Sequence, residues 1–240
     1  MGIAAGIVVL FAALLGLVWY VFIYEPPSCS DGIMNQDERG IDCDGSCALM
    51  CAPARVDADW TRAVKTVEGI YHGVSLIKNP LTNASATGLK YTMSLYDTGN
   101  ILVAERRGSF DLEPGETRVL FESNVITGER IPVRAFLRID GGIWQRATPI
   151  ERPIKVIPGV VDEELHTFTA SLENTTPYRQ EDVIADALLY DEEGVLVTAS
   201  ETKIPVLEPR ARQEVVFTWP EAFARPIRTS DIIVRLNVRP

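Results

Sequence analysis

Four cysteines offer the most distinctive chemistry in this 240-residue chain. They are Cys29, Cys43, Cys47 and Cys51, separated by thirteen, three and three residues, and the rest of the chain has none. An even, tightly clustered set is typical of two disulfides formed in an oxidising compartment. The alternative is a four-cysteine zinc site, but such sites usually contain Cys-x2-Cys pairs, which this spacing lacks. The spacing favours disulfides and leaves all three pairings open.

Oxygen-donor side chains alternate with these cysteines. Gly32, Gly40 and Gly45 allow sharp turns between them, and a short loop of oxygen ligands suits a hard cation such as calcium. The spacing does not match an EF-hand, and a second interpretation is an acidic turn region in which Asp and Asn bond their own backbone. Calcium is therefore the one cofactor predicted here. Its candidate ligands are Asp31, Asn35, Asp37, Glu38, Asp42 and Asp44.

The same segment resembles a short module, Cys-x-Asp-Gly-x-x-Asn-x-x-Glu-x-x-x-Asp-Cys-Gly-Gly-x-Cys, found in extracellular bacterial and archaeal surface proteins. Asp44 replaces the first glycine of the Gly-Gly pair. The resemblance implies a location outside the cytoplasm and no activity. The matching residues are Cys29, Asp31, Gly32, Asn35, Glu38, Asp42, Cys43, Gly45 and Cys47.

Catalytic patterns are missing from the sequence. The two histidines, His72 and His166, lie on predicted strands without a nucleophile signature nearby, and we expect them to be structural. There is no Gly-x-Ser-x-Gly elbow, phosphate-binding glycine loop or His-x-x-x-His pair. The net charge of -10, without a basic stripe, argues against nucleic-acid binding. The chain is predicted not to be an enzyme.

The N-terminal segment is apolar, with no charged residue from Ile3 to Tyr24. As a helix it would be about 33 Å long, and a bilayer core is about 30 Å thick. Trp19 and Tyr20 suit a membrane interface, and no small-residue cleavage site is evident. The segment predicts a retained single-pass anchor over residues 1–24, with the N-terminus cytoplasmic. The cysteines then place the C-terminal part outside the cell membrane.

The rest of the chain repeats itself. Leu95-Tyr96-Asp97 matches Leu189-Tyr190-Asp191, and the matches continue in order at an offset of about 95 residues. This constant offset indicates a duplicated domain. The further matches are Leu112-Glu113-Pro114 with Leu207-Glu208-Pro209, Val119-Leu120-Phe121 with Val215-Val216-Phe217, and Asn79 with Asn174.

Each copy contains short β-rich runs separated by polar residues, which predicts an antiparallel, immunoglobulin-like β-sandwich. Where a strand ends, Asp97 and Asp191 are expected to accept bonds from following amides, while Gly99 and Gly194 supply turn conformations. The predicted strands are 73–78, 90–96, 101–110, 118–123 and 133–139, then 166–173, 183–190, 195–204, 213–219 and 231–238.

This pattern also resembles the prokaryotic domain family named after its Phe-x-Leu-Tyr-Asp motif, which occurs on secreted and membrane-anchored proteins. Met93 and Ala187 stand at the Phe position of the two copies. The resemblance spans about three quarters of the chain and implies no known activity.

Together these patterns predict a mainly β protein with four parts: an anchor (1–24), an acidic cysteine collar (25–57) and two sandwiches (58–153 and 154–240). The predicted function is membrane-anchored extracytoplasmic binding or scaffolding, with a protein partner of unknown identity. The alternative is an accessory subunit of a secretion, pilus or transport assembly. That alternative predicts an exposed apolar patch on one sandwich.

Overall fold

A computed structural model describes residues 2–22, 29–35, 37–51, 55–149 and 153–236. The chain forms two compact units, Met1–Cys51 and Ala52–Pro240. The end of the predicted anchor at residues 23 and 24, and the end of the last predicted strand at 237 and 238, lie outside the described residues.

The first unit contains the helix α1, Gly2–Phe22, and the cysteine collar. Over the residues described, no helix is both long and apolar enough to cross a membrane. The structure therefore gives no support to the predicted anchor. The collar has little regular structure, and among its described residues one isolated antiparallel bridge joins Gly40 to Cys43.

The second unit is entirely β within the residues described, with six strands in each copy. In the first copy they are β1 Ala58–Val67, β2 Ile70–Lys78, β3 Ala84–Tyr96, β4 Leu102–Leu112, β5 Thr117–Ile126 and β6 Arg134–Arg146. In the second they are β7 Ile154–Asp162, β8 Thr167–Asn174, β9 Gln180–Tyr190, β10 Leu196–Leu207, β11 Arg212–Thr218 and β12 Thr229–Leu236.

The strands pair into four antiparallel three-stranded sheets. The first copy has the orders β1-β2-β5 and β4-β3-β6, and the second has β7-β8-β11 and β10-β9-β12. Counted from the start of each copy, the two orders are the same, so the duplication seen in the sequence extends to topology. The prediction of a mainly β, antiparallel fold is confirmed.

Each copy buries a core between its two sheets. In the second copy Phe168 and Leu172 from β8 pack with Ala187 and Leu189 from β9, all at most 2% exposed. In the first copy a Cβ added to Gly73 on β2 would lie 2.3 Å from the Met93 sulfur on β3. The two sheets of that copy therefore approach closely at this glycine.

The two copies share a further apolar cluster. Val64, Val74 and Val119 of the first copy pack with Leu188 and Ala199 of the second, and each of these side chains is buried. One face of the β1-β2-β5 sheet is thus covered by one face of the β10-β9-β12 sheet. This packing explains why both copies fall in one compact unit.

The pattern of the sequence did not predict the first strand of either copy, β1 or β7. β1 is an edge strand with a charged residue at every third position, Asp59, Arg62 and Lys65, and β7 contains Pro158-Gly159 in its middle. A proline is tolerated on an edge strand, where one side of the backbone needs no partner. Hydrophobicity alone therefore predicts loops for both segments.

Candidate binding groove

The collar cysteines form two disulfides, Cys29–Cys47 and Cys43–Cys51. No free cysteine remains among the described residues. The structure therefore confirms the disulfides and selects one of the three pairings that the spacing left open.

The acidic side chains of the collar mostly accept hydrogen bonds from the chain itself. Asp42 accepts from the amides of Asp31 and Gly32 at 2.9–3.2 Å, and Asp31 accepts from the Ile33 amide at 2.9 Å. Glu38 accepts from the Asn35 amide at 3.2 Å. The contact between Asp31 and the Ile33 amide is an Asx-turn, as in the second interpretation above, whereas Asp42 joins two parts of the collar that are ten and eleven residues apart.

Asp44 and Gly45 form a turn with left-handed backbone. Asp44 has a φ of 60° and Gly45 a φ of 55°, both left-handed. A Cβ at Gly45 would lie 2.4 Å from the Asp37 carbonyl oxygen, so this position requires glycine. Asp tolerates the left-handed region, which is why it can replace the first glycine of the pair.

One of the six predicted calcium ligands, Glu38, lies in a cluster of possible metal ligands among the described residues. In the described part of the chain, the cluster of ligand-type atoms within 4.8 Å of one another comprises Cys29, Glu38 and Cys47. Its two sulfur atoms belong to a disulfide and cannot bind a metal as thiolates. Asp37 lies elsewhere, bonded to the Ser46 hydroxyl at 3.2 Å.

Asp97 and Asp191 occupy the same position in the two copies and make the same contacts. Asp97 Oδ1 accepts from the Gly99 and Ile101 amides at 2.9 and 3.0 Å, and Oδ2 accepts from Arg130 at 2.7 Å. The Ile101 amide, with help from Arg130, holds the pKa of Asp97 below its ordinary value. This turn role is the one predicted.

In the second copy Asp191 Oδ1 accepts from the Glu193 and Val195 amides at 3.1 and 2.8 Å. Arg225 donates to Oδ2 at 2.7 Å and is the largest influence lowering the pKa of Asp191. The two arginine partners were not foreseen, because each lies more than thirty residues further along the chain.

The left-handed residue of this turn differs between the copies. Gly194 has a φ of 72° in the second copy, whereas in the first Asn100 takes this role with a φ of 59°. Gly99, which the sequence singled out, is one residue too early and does not have a positive φ. Asn is among the residues that enter this region readily, and it therefore replaces glycine here.

The two histidines make packing contacts. His72 accepts from the Asn124 amide at 3.3 Å and lies 4.8 Å from the Phe121 ring. Burial lowers its pKa. His166 lies edge-on to Phe223 at 6.1 Å.

A shallow groove of about 500 Å³ lies on the outer face of the β4-β3-β6 sheet. Sequence reasoning did not identify it, because its residues come from three strands and share no motif. The residues lining it include Thr92, Ser94 and Tyr96 from β3, Glu105 and Arg107 from β4, and Phe136 and Arg138 from β6.

One end of the groove is aromatic and the other is polar. Tyr96 and Phe136 pack edge-to-face at 5.8 Å, and Phe136 is 58% exposed. Arg107 pairs with Glu105 at 2.6 Å, and Arg138 pairs with Asp140 at 2.8 Å. An exposed ring beside hydrogen-bonding groups can hold a ligand with one apolar surface and several polar atoms.

The equivalent face of the second copy is the one that packs on the first copy. Register makes Thr92 equivalent to Asp186 and Ser94 equivalent to Leu188. Leu188 is fully buried in the shared cluster, while Ser94 lines the open groove. One face of the duplicated domain thus contacts a protein surface in one copy and is free in the other.

Beside the groove, the turn after β3 and the loop before β6 form an apolar tip, defined here as Ile101, Leu102, Ile131 and Val133. Each of these side chains is 47–65% exposed. The Val133 amide donates to the Tyr96 carbonyl at 2.8 Å, which holds the loop against the end of β3.

Comparison with known proteins gives no family. No protein-family model matches the chain, and no curated protein matches it. Among solved structures, a crystal structure of red sea bream transglutaminase aligns with a TM-score of 0.25 and 10% sequence identity. The alignment covers 78% of this chain and 30% of that one, and we infer nothing from a similarity of this size.

Proposed function

We propose that this protein is a non-catalytic extracytoplasmic binding protein that holds its ligand in the groove on the β4-β3-β6 face. The observation that carries the proposal is the equivalence of this face to the β10-β9-β12 face, which already serves as a contact surface within the chain. Each copy has one such face, and in the first copy no strand among the described residues covers it.

The chemistry of the groove supports a ligand held by stacking and hydrogen bonds. Phe136 offers an exposed ring, and Ser94, Arg107 and Arg138 offer donors along the sheet. The sheet backbone fixes the spacing of these groups, because neighbouring strands lie about 4.8 Å apart. Immunoglobulin-like topology is part of the proposal, and the Greek-key strand order of each copy supports it.

The disulfides support the extracytoplasmic location, since thiols are kept reduced in most cytosols. The four cysteines should resist alkylation in intact cells until a reductant is added, which a gel-shift assay measures. Immediate modification would place the collar in a reducing compartment. Extraction of membranes at alkaline pH in the same experiment tests the anchor predicted from the sequence: retention in the pellet would support it, and release into the supernatant would contradict it.

An accessory subunit of a cell-envelope assembly is the second candidate function, and the apolar tip favours it. An exposed apolar patch on one sandwich is the feature that this alternative predicts, and the tip contributes four exposed Ile, Leu and Val side chains. The equivalent residue Leu196 of the second copy packs against the shared cluster instead.

Photo-crosslinking in cells separates the two candidates. A benzoyl-phenylalanine at Phe136 samples the groove, one at Ile131 samples the tip, and one at Val216 samples the free face of β11 as a matched control that is 49% exposed. A binding protein should give its adduct from position 136, and a subunit should give a stoichiometric protein adduct from position 131. Equal labelling at all three positions would contradict both.

A further inference from the structure

Asp186 is a fully buried acid in the contact between the two copies. It lies on β9 two residues before Leu188, on the face that meets the first copy, and its side chain is 0% exposed. Its equivalent in the first copy is Thr92, on the open groove. An ionisable residue therefore stands at this position in the copy whose face is covered, and a threonine stands there in the copy whose face is open.

One arginine serves two carboxylates at this point. Arg235 on β12, whose side chain is 11% exposed, donates through Nη1 to Asp186 Oδ2 and through Nη2 to Glu201 Oε2 at 2.7 Å. Glu201 on β10 is the direct cross-strand neighbour of Asp186. Asp186 is fully buried and shares its hydrogen-bonded guanidinium with Glu201, which is 34% exposed, so a negative charge on Asp186 is costly.

The second oxygen of Asp186 shows how this cost is met. No donor of the described residues reaches Oδ1, although it is buried. Glu201 shares the Arg235 guanidinium with Asp186 and is its direct cross-strand neighbour, so the two carboxyl groups lie side by side. A hydrogen bond between two carboxyl groups requires a proton on one of them, and a protonated Oδ1 would donate to Glu201 and leave no buried acceptor unpaired.

The charges that face Asp186 come from three strands. They are Glu201 on β10, Arg235 on β12 and Arg118, which reaches the cluster from β5 of the first copy. Arg118 is itself paired with Glu116 at 3.7 Å. On the same face, Lys203 is paired with Asp182 at 2.8 Å. Burial raises the pKa of Tyr190, and the nearby Asp231 raises it further.

We propose that Asp186 is a neutral carboxylic acid in the folded protein at neutral pH, and that removal of its proton loosens the contact between the two copies. The reaction is a simple acid dissociation: the proton on Oδ1 passes to water, and an uncompensated negative charge remains between Glu201 and the first copy. The contact is therefore a proton-sensitive joint within the fold.

Burial supports the assignment by raising the pKa of Asp186 to about 8, with Glu201 acting in the same direction and Arg235 opposing it. An unfolded aspartate has a pKa of about 3.9. Between these values the folded state binds the proton and the unfolded state does not, so stability from this group falls as pH rises and is lost through about pH 8.

His72 lies on the same face of β2 as Val74 and acts in the opposite direction. Its lowered pKa means that the unfolded state binds more protons near pH 6, so its contribution to stability falls as pH decreases. The opposite pH dependences of Asp186 and His72 therefore distinguish the two groups in a profile of stability against pH.

The test is the melting temperature of the full chain from pH 5 to pH 9, measured for the wild type, Asp186→Asn and Asp182→Asn. Asn at 186 can donate to Glu201 and accept from Arg235, so it imitates the neutral acid. We expect the fall in melting temperature between pH 6 and pH 9 to vanish in D186N. It should persist in D182N, which alters an exposed pair on the same strand.

Carbon NMR of the Asp186 carboxyl, identified by its loss in D186N, gives the midpoint directly. Amide peaks of Val74 and Leu188 should shift with the same midpoint, and that of Phe168, inside the second core, should not. In Glu201→Gln the midpoint should move to lower pH. A carboxyl titrating near pH 4, or a D186N profile that matches the wild type, would overturn the proposal.

Discussion

At the scale of single residues, a buried asparagine makes the same kind of contacts in both copies. Asn79 donates to two backbone carbonyls, both at 2.8 Å, and its equivalent Asn174 donates to three, at 2.7–3.2 Å. Both are buried, and both accept one amide two residues later. A buried amide that satisfies several backbone groups has few substitutes, which explains why these positions were visible as repeats in the sequence.

The aspartate turns predict a loss of stability in acid. The folded pKa values of Asp97 and Asp191 lie below the ordinary value, so their contribution is complete above about pH 4 and falls as pH decreases through the folded values. Asp191→Asn should remove the pH-dependent stability that Asp191 gains from its ion pair with Arg225. The melting temperature of this variant should therefore change less with pH below pH 4. Arg225→Gln should give a similar profile if the ion pair is responsible; an unchanged profile in both variants would contradict the assignment.

Calcium binding by the collar stays a prediction that one titration decides. If the collar carboxylates only accept amides of the chain, amide exchange of residues 31–45 should not change on adding calcium. Saturation at 100 times the dissociation constant would instead add about 2.7 kcal/mol to the unit that binds the ion. Protection of that size, abolished by Asp42→Asn, would establish the predicted site.

At the scale of elements, the strand pattern depends on how many faces of a strand are covered. Val74 and Leu76 on β2 face the second copy, and their equivalents Thr169 and Ser171 on β8 face outward. β2 and β9 are therefore buried on both faces over several consecutive residues, whereas burial alternates along β8. The identical topology of the copies shows that this difference is due to packing partners and not to fold.

The bend in β7 gives a prediction for this edge strand. A Cβ on Gly159 would lie 2.0 Å from the Thr169 backbone oxygen, and backbone cannot move aside cheaply. Gly159→Ala should therefore destabilise the β unit by about 1–3 kcal/mol or more, as overpacking does. Urea unfolding measures the loss, with Pro158→Ala as the neighbouring control. Equal midpoints for the two variants would show that the strand is free to shift.

At the scale of the whole molecule, the shared cluster determines whether the copies unfold together. Leu188 is 0% exposed and contacts the first copy, so Leu188→Ser, which installs the residue found at the equivalent Ser94, should weaken the contact by about 2–5 kcal/mol. We expect urea unfolding to separate into two transitions in this variant.

Leu189→Ser is the matched control, because Leu189 faces the core of the second copy. Leu189→Ser should lower the stability of the second copy, while the surface that contacts the first copy stays apolar. If both variants unfold in one transition with the same slope, the two copies do not depend on this cluster for their coupling.

The sequence by itself determined the composition-level features: a β-rich duplicated chain, paired cysteines, and aspartates that end strands at the same place in each copy. These follow from local rules, since turn residues and the period of two in a strand act over a few residues. It did not determine the cysteine pairing, the Arg130 and Arg225 partners, or the groove.

Only the tertiary structure decided those, because each depends on strands brought together from distant parts of the chain. The clearest case is the pair Thr92 and Asp186, which occupy one position in two copies of one domain. The first lies on an open groove and the second is buried against another sheet. Which of two equivalent faces becomes covered is a property of packing, and no local pattern encodes it.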